Sequence, residues 1–143
     1  MLFRDFPTDV SWYQARLTVS ELGRAKYAAW DEWEKLTRMT MLVMDGANNA
    51  ANPFYASENI RAHVPEIAAA IRAGAFLPEL ILVGKPDSDE IVLVEGHKRA
   101  TAYVLAVEDP GEEVAAIVGT SPSIAVWCGW RPRFELSFAG LRS

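Results

Sequence analysis

The clearest hydrophobic pattern lies in the middle of the chain. Its apolar residues recur at steps of four, three and four positions, and they are Ile60, Val64, Ile67 and Ile71. This spacing places them on one face of an α-helix, with Ser57 as its N-cap and Gly74 as its stop. Pro65 falls inside the pattern, so the helix either begins near His63, with Pro65 in its first turn, or is kinked at Pro65.

Two short β-prone runs follow the predicted helix. Residues 80–83 and 91–94 flank a segment rich in Gly, Pro, Asp and Ser, which predicts a β-hairpin. A second helical pattern starts at residue 100 and stops at the Asp-Pro-Gly sequence of residues 109–111, and residues 114–118 predict a further strand. This part of the chain is therefore predicted to run helix, strand, strand, helix, strand.

The first fifty residues carry weaker patterns. Residues 15–22 alternate enough to predict a strand, residues 25–36 predict a helix, and the composition of residues 45–53 predicts a loop. Trp30 and Trp33 lie three residues apart, on one face of the predicted helix. We interpret this pair as core or interface packing and not as a platform for a nucleobase, since aromatic residues commonly anchor cores.

Length and charge limit the range of folds and partners. A chain of 143 residues, half of them hydrophobic, can bury one sizeable core but is too short for two ordinary domains. We therefore expect one compact α/β (α+β) domain over residues 1–143, with a small mixed sheet and flanking helices. The net charge of −5 argues against direct DNA binding, which requires a clustered Lys/Arg surface, so any bound anion must be held locally.

Cysteine content and hydropathy bear on the location of the protein. Cys128 is the single cysteine, so no internal disulfide forms, and no Cys/His cluster indicates a structural metal site. No stretch approaches the roughly 18 apolar residues that span a bilayer, and residues 1–10 lack an apolar signal region. We expect a cytoplasmic protein with no membrane partner and no thiol chemistry at Cys128.

The C-terminal segment interleaves aromatic and basic residues, and these are Trp127, Trp130, Arg131, Arg133 and Phe134, with Pro132 between the arginines. Such a mixture is compatible with nucleic-acid contact, but in a net acidic chain it is more typical of an interface rim or a self-association surface. The segment therefore favours a protein partner or a homodimer.

The most informative motif is Glu95-Gly96-His97-Lys98-Arg99, which lies between a predicted strand and a predicted helix. The first N–H groups of a helix lack partners, the helix dipole favours anions there, and glycine lets an oxyanion approach the backbone. Lys98 adds a compact charge and Arg99 a planar fork suited to phosphate oxygens. Because cations at a helix N-terminus are unfavourable without an anion, the motif predicts a phosphate-binding turn at residues 95–99.

Neighbouring side chains of this motif leave alternatives open. Glu95 is a candidate catalytic base or Mg²⁺ ligand, or else a carboxylate that offsets the adjacent cations. His97 is a candidate proton-transfer group or a donor to a phosphate, and Thr101 supplies a hydroxyl for a phosphate or a bound metal. The alternative for Lys98 and Arg99 is that they are solvated residues at the start of an ordinary surface helix.

Residues 57–118 resemble the ParB/sulfiredoxin superfamily. The resemblance rests on a helix that ends in glycine, a Leu-Pro pair, a hairpin, and then the sequence Gly96-x-x-Arg99-x-x-Ala102. In ParB-type partition proteins the similar turn binds CTP, and in sulfiredoxins and ParB-like serine kinases it holds the phosphates of ATP or ADP. The resemblance implies a ParB/sulfiredoxin-like core in which Gly96, His97, Lys98 and Arg99 hold nucleotide phosphates.

Two departures from the family narrow the expected activity. Sulfiredoxins carry a reactive cysteine immediately after the glycine, where this chain has His97, so sulfiredoxin chemistry is not expected. Partition proteins continue into a helix-turn-helix domain, and only about 40 residues follow the motif here. Residues 95–99 are most similar to the Asp-Gly-His-His-Arg motif of ParB-like kinases.

Two functions therefore stay open at the level of sequence. The first is an ATP/ADP- or CTP-dependent phosphotransferase or nucleotide hydrolase that uses Mg²⁺, with Glu95 and His97 as catalytic residues and Gly96, His97, Lys98, Arg99 and Thr101 at the nucleotide. The second is a non-catalytic module that senses a nucleotide or binds a protein. A nuclease is ranked last, because the sequence contains no defined cluster of metal ligands.

Overall fold

A computed structural model describes residues 3–130 as a mixed α/β fold, which confirms the predicted fold class. Its elements, in chain order, are β1 (Ser11–Thr18), α1 (Val19–Arg24), α2 (Asp31–Thr37), α3 (Val43–Asn49), α4 (Glu58–Arg72), β2 (Leu80–Gly84), β3 (Ile91–Glu95), α5 (His97–Ala106), β4 (Glu113–Thr120) and a 3₁₀ turn at Ile124–Val126. Among these residues no helix is both long enough and apolar enough to cross a membrane.

The four strands form one mixed sheet in the order β1-β4-β2-β3. β1 pairs antiparallel with β4, β4 runs parallel to β2, and β2 and β3 form the predicted antiparallel hairpin. Helix α5 makes the crossover from β3 to β4, and β1 is left at an edge of the sheet.

Apolar side chains cover both faces of the sheet. On one face the strands pack against the helices, with Leu82 and Leu93 meeting Leu36, Ile60 and other buried residues. On the opposite face a smaller cluster contains Val83, Val92, Val94, Ile124, Trp127 and Trp130. Trp127 and Trp130 are thus core residues of the second cluster, whereas Arg131, Pro132, Arg133 and Phe134 lie outside the described residues.

Helix α4 confirms the prediction made from its apolar spacing. It begins at Glu58, capped by the Ser57 hydroxyl, which accepts a hydrogen bond from the Ile60 N–H, and Gly74 follows its end with a φ of +83°. The proposed start near His63 is wrong, because the cap at Ser57 already satisfies the first turn and the helix runs through Pro65.

The strand predicted over residues 15–22 is wrong in its second half. β1 ends at Thr18, where a capping box starts helix α1. The Thr18 hydroxyl accepts from the Glu21 N–H at 3.0 Å, and the Glu21 carboxylate accepts from the Thr18 N–H at 2.9 Å. This reciprocal pair satisfies two helix donors and overrides the strand-like alternation that follows Thr18.

The helix predicted over residues 25–36 begins only at Asp31. Residues 26–30 are irregular instead: Lys26 forms a parallel β-bridge with Val92 of β3 and an antiparallel bridge with Leu42, and the chain bends at Ala29. Pairing with strands distant in the sequence supplies backbone partners that a local pattern cannot reveal. Trp30 therefore stands at the N-cap of α2 and not in the middle of a helix.

The loop predicted over residues 45–53 is mostly helix α3. Tertiary contacts explain why its polar residues are helical: the Asn49 amide donates to the Leu36 carbonyl at 2.9 Å, and Asp45 accepts from the Thr40 hydroxyl at 2.6 Å. Gly46 is required because a Cβ there would strike the buried Tyr27 ring. Only the last residues of the predicted loop lie outside a helix.

Candidate functional site

The candidate site is built on the junction between β3 and α5. Gly96 is the N-cap residue of α5, and its φ of +93° and ψ of +30° place it in the left-handed region, as its position between strand and helix requires. A Cβ at this position would lie 2.6 Å from Leu80 Cδ2 and 3.0 Å from Arg99 Nη2. Glycine therefore permits both the turn and the close approach of neighbouring side chains.

The segment before α2, residues 26–30, brings the start of that helix to the same place. Lys26 accepts a hydrogen bond from the Leu93 N–H at 2.8 Å and donates its own N–H to Ile91 at 2.9 Å, which pairs this residue with β3. The Ala28 N–H donates to His97 Nε2 at 3.1 Å, and the Trp30 N–H donates to the Ala28 carbonyl at 2.7 Å, so the chain turns at Ala29. These contacts hold the segment that carries Trp30 against the start of α5.

A cleft of about 430 Å³ lies where these elements meet. One wall is the turn itself, residues 94–99. The facing walls are supplied by α2 and the residue before it, and by α4; their residues are Trp30, Glu32, Trp33, Asn59 and Ile67. Glu95, Gly96, His97, Lys98 and Arg99 thus line one cleft, and their predicted roles at a nucleotide stay predictions.

Arg99 folds back over Gly96. Its Nη2 donates to the Glu79 carbonyl at 3.3 Å, and this contact holds the guanidinium beside the turn. Its Nε is buried and has no hydrogen-bond partner within residues 3–130. A buried guanidinium nitrogen without an acceptor is unfavourable, so Arg99 would gain a hydrogen bond if its guanidinium turned toward an acceptor in the cleft.

Neither cation of the turn forms an ion pair within the described part of the chain. The three ion pairs found there join Arg4 to Asp5, Arg16 to Glu113 and Lys26 to Glu90, and neither Lys98 nor Arg99 takes part. Both residues lie in the first turn of α5, which has no acidic residue. An anion in the cleft would relieve the repulsion between these cations and the helix dipole.

His97 is fixed in its tautomer by a backbone contact. Its Nε2 accepts a hydrogen bond from the Ala28 N–H at 3.1 Å, so the ring proton lies on Nδ1. The ring also lies near Tyr27 and Trp33, with centroid distances of 5.7 Å and 5.2 Å. Burial lowers the pKa of His97 to about 4, so at neutral pH it is an uncharged donor through Nδ1–H.

Thr101 does not line the cleft, in contrast to the role predicted for it. Its side chain is fully buried, and its hydroxyl donates to the His97 carbonyl at 2.8 Å and lies 2.5 Å from the Tyr27 hydroxyl. Because i–4 backbone bonding turns the hydroxyl into the core, it is not available to a phosphate. The contact between Thr101 and Tyr27 instead ties α5 to residues 26–30. Burial raises the pKa of Tyr27.

Glu32 is a cleft residue that the sequence did not reveal. Its Oε1 accepts a hydrogen bond from the Ser57 hydroxyl at 2.6 Å, which links α2 to the cap of α4. Glu32 and the exposed Glu95 are the carboxylates that line the cleft. No sequence signal marks Glu32, because its approach depends on how α2 and α4 pack.

The donor set of the cleft bears on metal binding. Within residues 3–130 no group of three or more His, Cys, Asp or Glu side chains is arranged to hold a metal ion. Mg²⁺ in phosphate-handling sites is commonly held by one or two carboxylates together with the phosphates of the substrate. Glu32 and Glu95 fit that kind of site and not a metal cage formed by protein alone.

Comparisons of the chain with protein-family models, with curated proteins and with solved structures each return no match.

Proposed function

We propose that this protein binds the phosphates of a nucleotide at the β3–α5 turn and acts on a phosphoryl group. The observation that supports this most directly is the buried Nε of Arg99, which has no partner within residues 3–130, beside a glycine turn and a Lys98 that forms no ion pair there. An anion bound at this helix N-terminus would favour the placement of both cations.

The phosphate oxygens would be held by three kinds of donor. The first-turn N–H groups of α5 and the Nδ1–H of His97 supply neutral hydrogen bonds, and Gly96 leaves the backbone open to approach. Arg99 supplies paired N–H groups, and Lys98 supplies a mobile charge. His97 serves better as a donor than as a proton-transfer group, because Nε2 is already occupied by the Ala28 N–H.

The carboxylates give the cleft a capacity for chemistry. Glu95, at the end of β3, and Glu32, on the facing wall, are candidates to accept a proton from a hydroxyl or to hold Mg²⁺ against the phosphates. ATP/ADP- or CTP-dependent phosphoryl transfer or hydrolysis fits this arrangement. The resemblance of residues 57–118 to ParB/sulfiredoxin-like proteins supports the same proposal, which also keeps the cytoplasmic location expected from the sequence.

Calorimetric titration with ATP, ADP and CTP, with and without Mg²⁺, tests the binding site. Charge-assisted hydrogen bonds contribute about 1.5–3 kcal/mol, so Arg99→Ala should weaken affinity roughly ten- to a hundredfold, and Arg99→Lys should recover only part of the loss. Arg72→Ala is the matched control, because Arg72 also donates to a backbone carbonyl but lies outside the cleft. Unchanged affinity in Arg99→Ala would refute the site.

The same titrations with Glu95→Gln separate binding from catalysis. If Glu95 accepts a proton or holds the metal, this variant should still bind nucleotide but release product much more slowly than the wild type. Glu66→Gln, on the exposed side of α4, is the control for loss of a carboxylate elsewhere. Equal turnover in Glu95→Gln and wild type would remove Glu95 from the mechanism.

A second candidate function is a non-catalytic binding module that associates with itself. The observation in its favour is the edge strand β1, whose eight residues pair with β4 in unbroken register and whose outer side has no strand partner within residues 3–130. Trp12 and Tyr13 on this strand are about half exposed, at 49% and 50%. Absence of turnover with nucleotide binding intact would favour this function.

A further inference from the structure

The two tryptophans that the sequence pairs on one helical face have different environments. Trp33 is buried and stacks on Tyr27, with ring centroids 4.5 Å apart and planes inclined by 24°. Trp30 is only partly buried, contacts Trp127 edge-on at a centroid distance of 6.1 Å, and contributes to the wall of the cleft. Trp33 is therefore committed to the core, whereas Trp30 retains surface for a ligand.

The backbone fixes where this surface lies relative to the phosphate-binding turn. Lys26 forms a bridge with Val92 of β3, and the Ala28 N–H is anchored on His97 at 3.1 Å. The chain then turns, with the Trp30 N–H donating to the Ala28 carbonyl at 2.7 Å, and Trp30 lines the same cleft as Gly96. The segment that carries Trp30 is thus attached to the turn itself.

A polar group stands beside this aromatic wall. Glu32, one residue before Trp33, is held by the Ser57 hydroxyl at 2.6 Å and also lines the cleft. A carboxylate accepts hydrogen bonds from the amine of a base or from ribose hydroxyls. An aromatic face, an acceptor carboxylate and a cationic turn in one cleft match the three parts of a nucleotide.

We infer that Trp30 is the stacking platform for the base of a purine nucleotide whose phosphates lie at Gly96, Lys98 and Arg99. The inference rests on the proposed function for the phosphate end of the ligand. Purines are favoured because the bicyclic indole overlaps a bicyclic base more fully than a pyrimidine. Stacking of a base on an aromatic side chain contributes enough to change affinity roughly five- to a hundredfold.

Titration of ATP, CTP, adenosine and inorganic tripolyphosphate into the full chain separates the two ends of the site. Trp30→Leu should weaken the binding of ATP and adenosine roughly five- to a hundredfold, leave the affinity for tripolyphosphate unchanged, and reduce the preference for ATP over CTP. Arg99→Ala should weaken the binding of ATP and tripolyphosphate but not that of adenosine. Trp12→Leu, which removes a tryptophan outside the cleft, should leave all four affinities unchanged.

Trp30→Phe is a second variant in case Trp30→Leu folds poorly, because phenylalanine keeps an aromatic face of smaller area. It should bind ATP with an affinity between those of wild type and Trp30→Leu, and thermal unfolding of each variant verifies the fold. Three results would overturn the platform. Trp30→Leu could lose as much affinity for tripolyphosphate as for ATP, Trp30→Phe could lose as much affinity for ATP as Trp30→Leu does, or neither variant could lose affinity for ATP. Equal binding of ATP and CTP by wild type would overturn the purine preference.

The outcomes for the two proposals are distinct. Binding of adenosine that depends on Trp30, without binding of tripolyphosphate, would support the platform and refute the phosphate site. Binding of tripolyphosphate that depends on Arg99, without any effect of Trp30 on ATP, would refute the platform and support the phosphate site. Failure of all four ligands to bind wild type would refute both.

Discussion

The imidazole of His97 joins two parts of the chain that are far apart in sequence. It accepts a hydrogen bond from the Ala28 N–H at 3.1 Å and lies beside the stacked rings of Tyr27 and Trp33, so it holds residues 26–30 against the start of α5. Protonation would remove the acceptor and place a charge among apolar groups. The neutral form is therefore the one that the fold requires.

We expect the free energy of unfolding to fall between pH 6.5 and about 4 because of His97. Its folded pKa is about 4, below the unfolded value near 6.5, so in this window the unfolded state binds a proton that the folded state does not. Lowering the pH thus stabilises the unfolded chain relative to the folded one, by up to about 1.4 kcal/mol per pH unit. The contribution of the neutral His97 to the free energy of unfolding is fully present above pH 6.5.

Urea unfolding at pH 7, 5.5 and 4.5 measures this contribution. His97→Gln should have a shallower pH dependence than wild type, and His63→Gln should keep the wild-type slope, because His63 is exposed on α4. All three proteins carry the same carboxylates, so the difference between the curves isolates the histidine. Identical slopes for His97→Gln and wild type would contradict the buried neutral ring.

The β3–α5 turn depends on glycine for two separable reasons. Gly96 has a φ of +93°, which costs an L-residue about 1–2 kcal/mol, and a Cβ would also lie 2.6 Å from Leu80 Cδ2. Gly74, at the end of α4, has a similar φ of +83° but nothing within 4 Å of a built Cβ. Within residues 3–130, Gly74 and Gly96 are the two glycines with a left-handed φ, and of these two a built Cβ is crowded only at Gly96.

We expect Gly96→Ala to destabilise the fold by more than Gly74→Ala, which should cost about 1–2 kcal/mol from the backbone alone. The added Cβ at residue 96 must displace Leu80 and Arg99, so the nucleotide affinity should fall as well. Chemical denaturation and titration of the two variants provide the comparison. Equal destabilisation with unchanged affinity would show that the turn tolerates a side chain.

Edge strand β1 is a candidate surface for contact between whole molecules. Natural sheets protect such edges with lysines, prolines or bulges, and β1 has none of these in its register from Ser11 to Thr18. It carries one charge, Arg16, so in an antiparallel pair centred between Gln14 and Ala15 the arginine meets Tyr13 of the second copy and not another arginine. The strand is therefore suited to pair with its own copy.

We expect the protein to self-associate with rising concentration, as measured by sedimentation velocity, and Tyr13→Lys to reduce this association. A lysine on an edge opposes strand pairing because it must be desolvated. Phe76→Lys is the matched control: it makes the same change in net charge at a 99% exposed residue outside the sheet. A monomeric wild type at all concentrations would exclude pairing through β1.

Much of the fold follows from local patterns. The steps between Ile60, Val64 and Ile71 predict helix α4, and the two apolar runs around a Gly/Pro/Asp segment predict the hairpin of β2 and β3. Gly96 between a strand and a helix predicts the junction that the structure contains. These features are decided by interactions between residues near in sequence, which is why the pattern alone suffices.

Non-local contacts decided the rest. Residues 26–30 are not helical because Lys26 pairs with Val92 and Leu42, and helix α3 forms where polar residues find partners in Leu36 and Thr40. The sequence by itself determined that a helix begins directly after Gly96, with Lys98 and Arg99 in its first turn. Only the tertiary structure buried Thr101, neutralised His97 and brought Trp30 and Glu32 to the cleft, because those outcomes depend on packing between segments that local spacing does not encode.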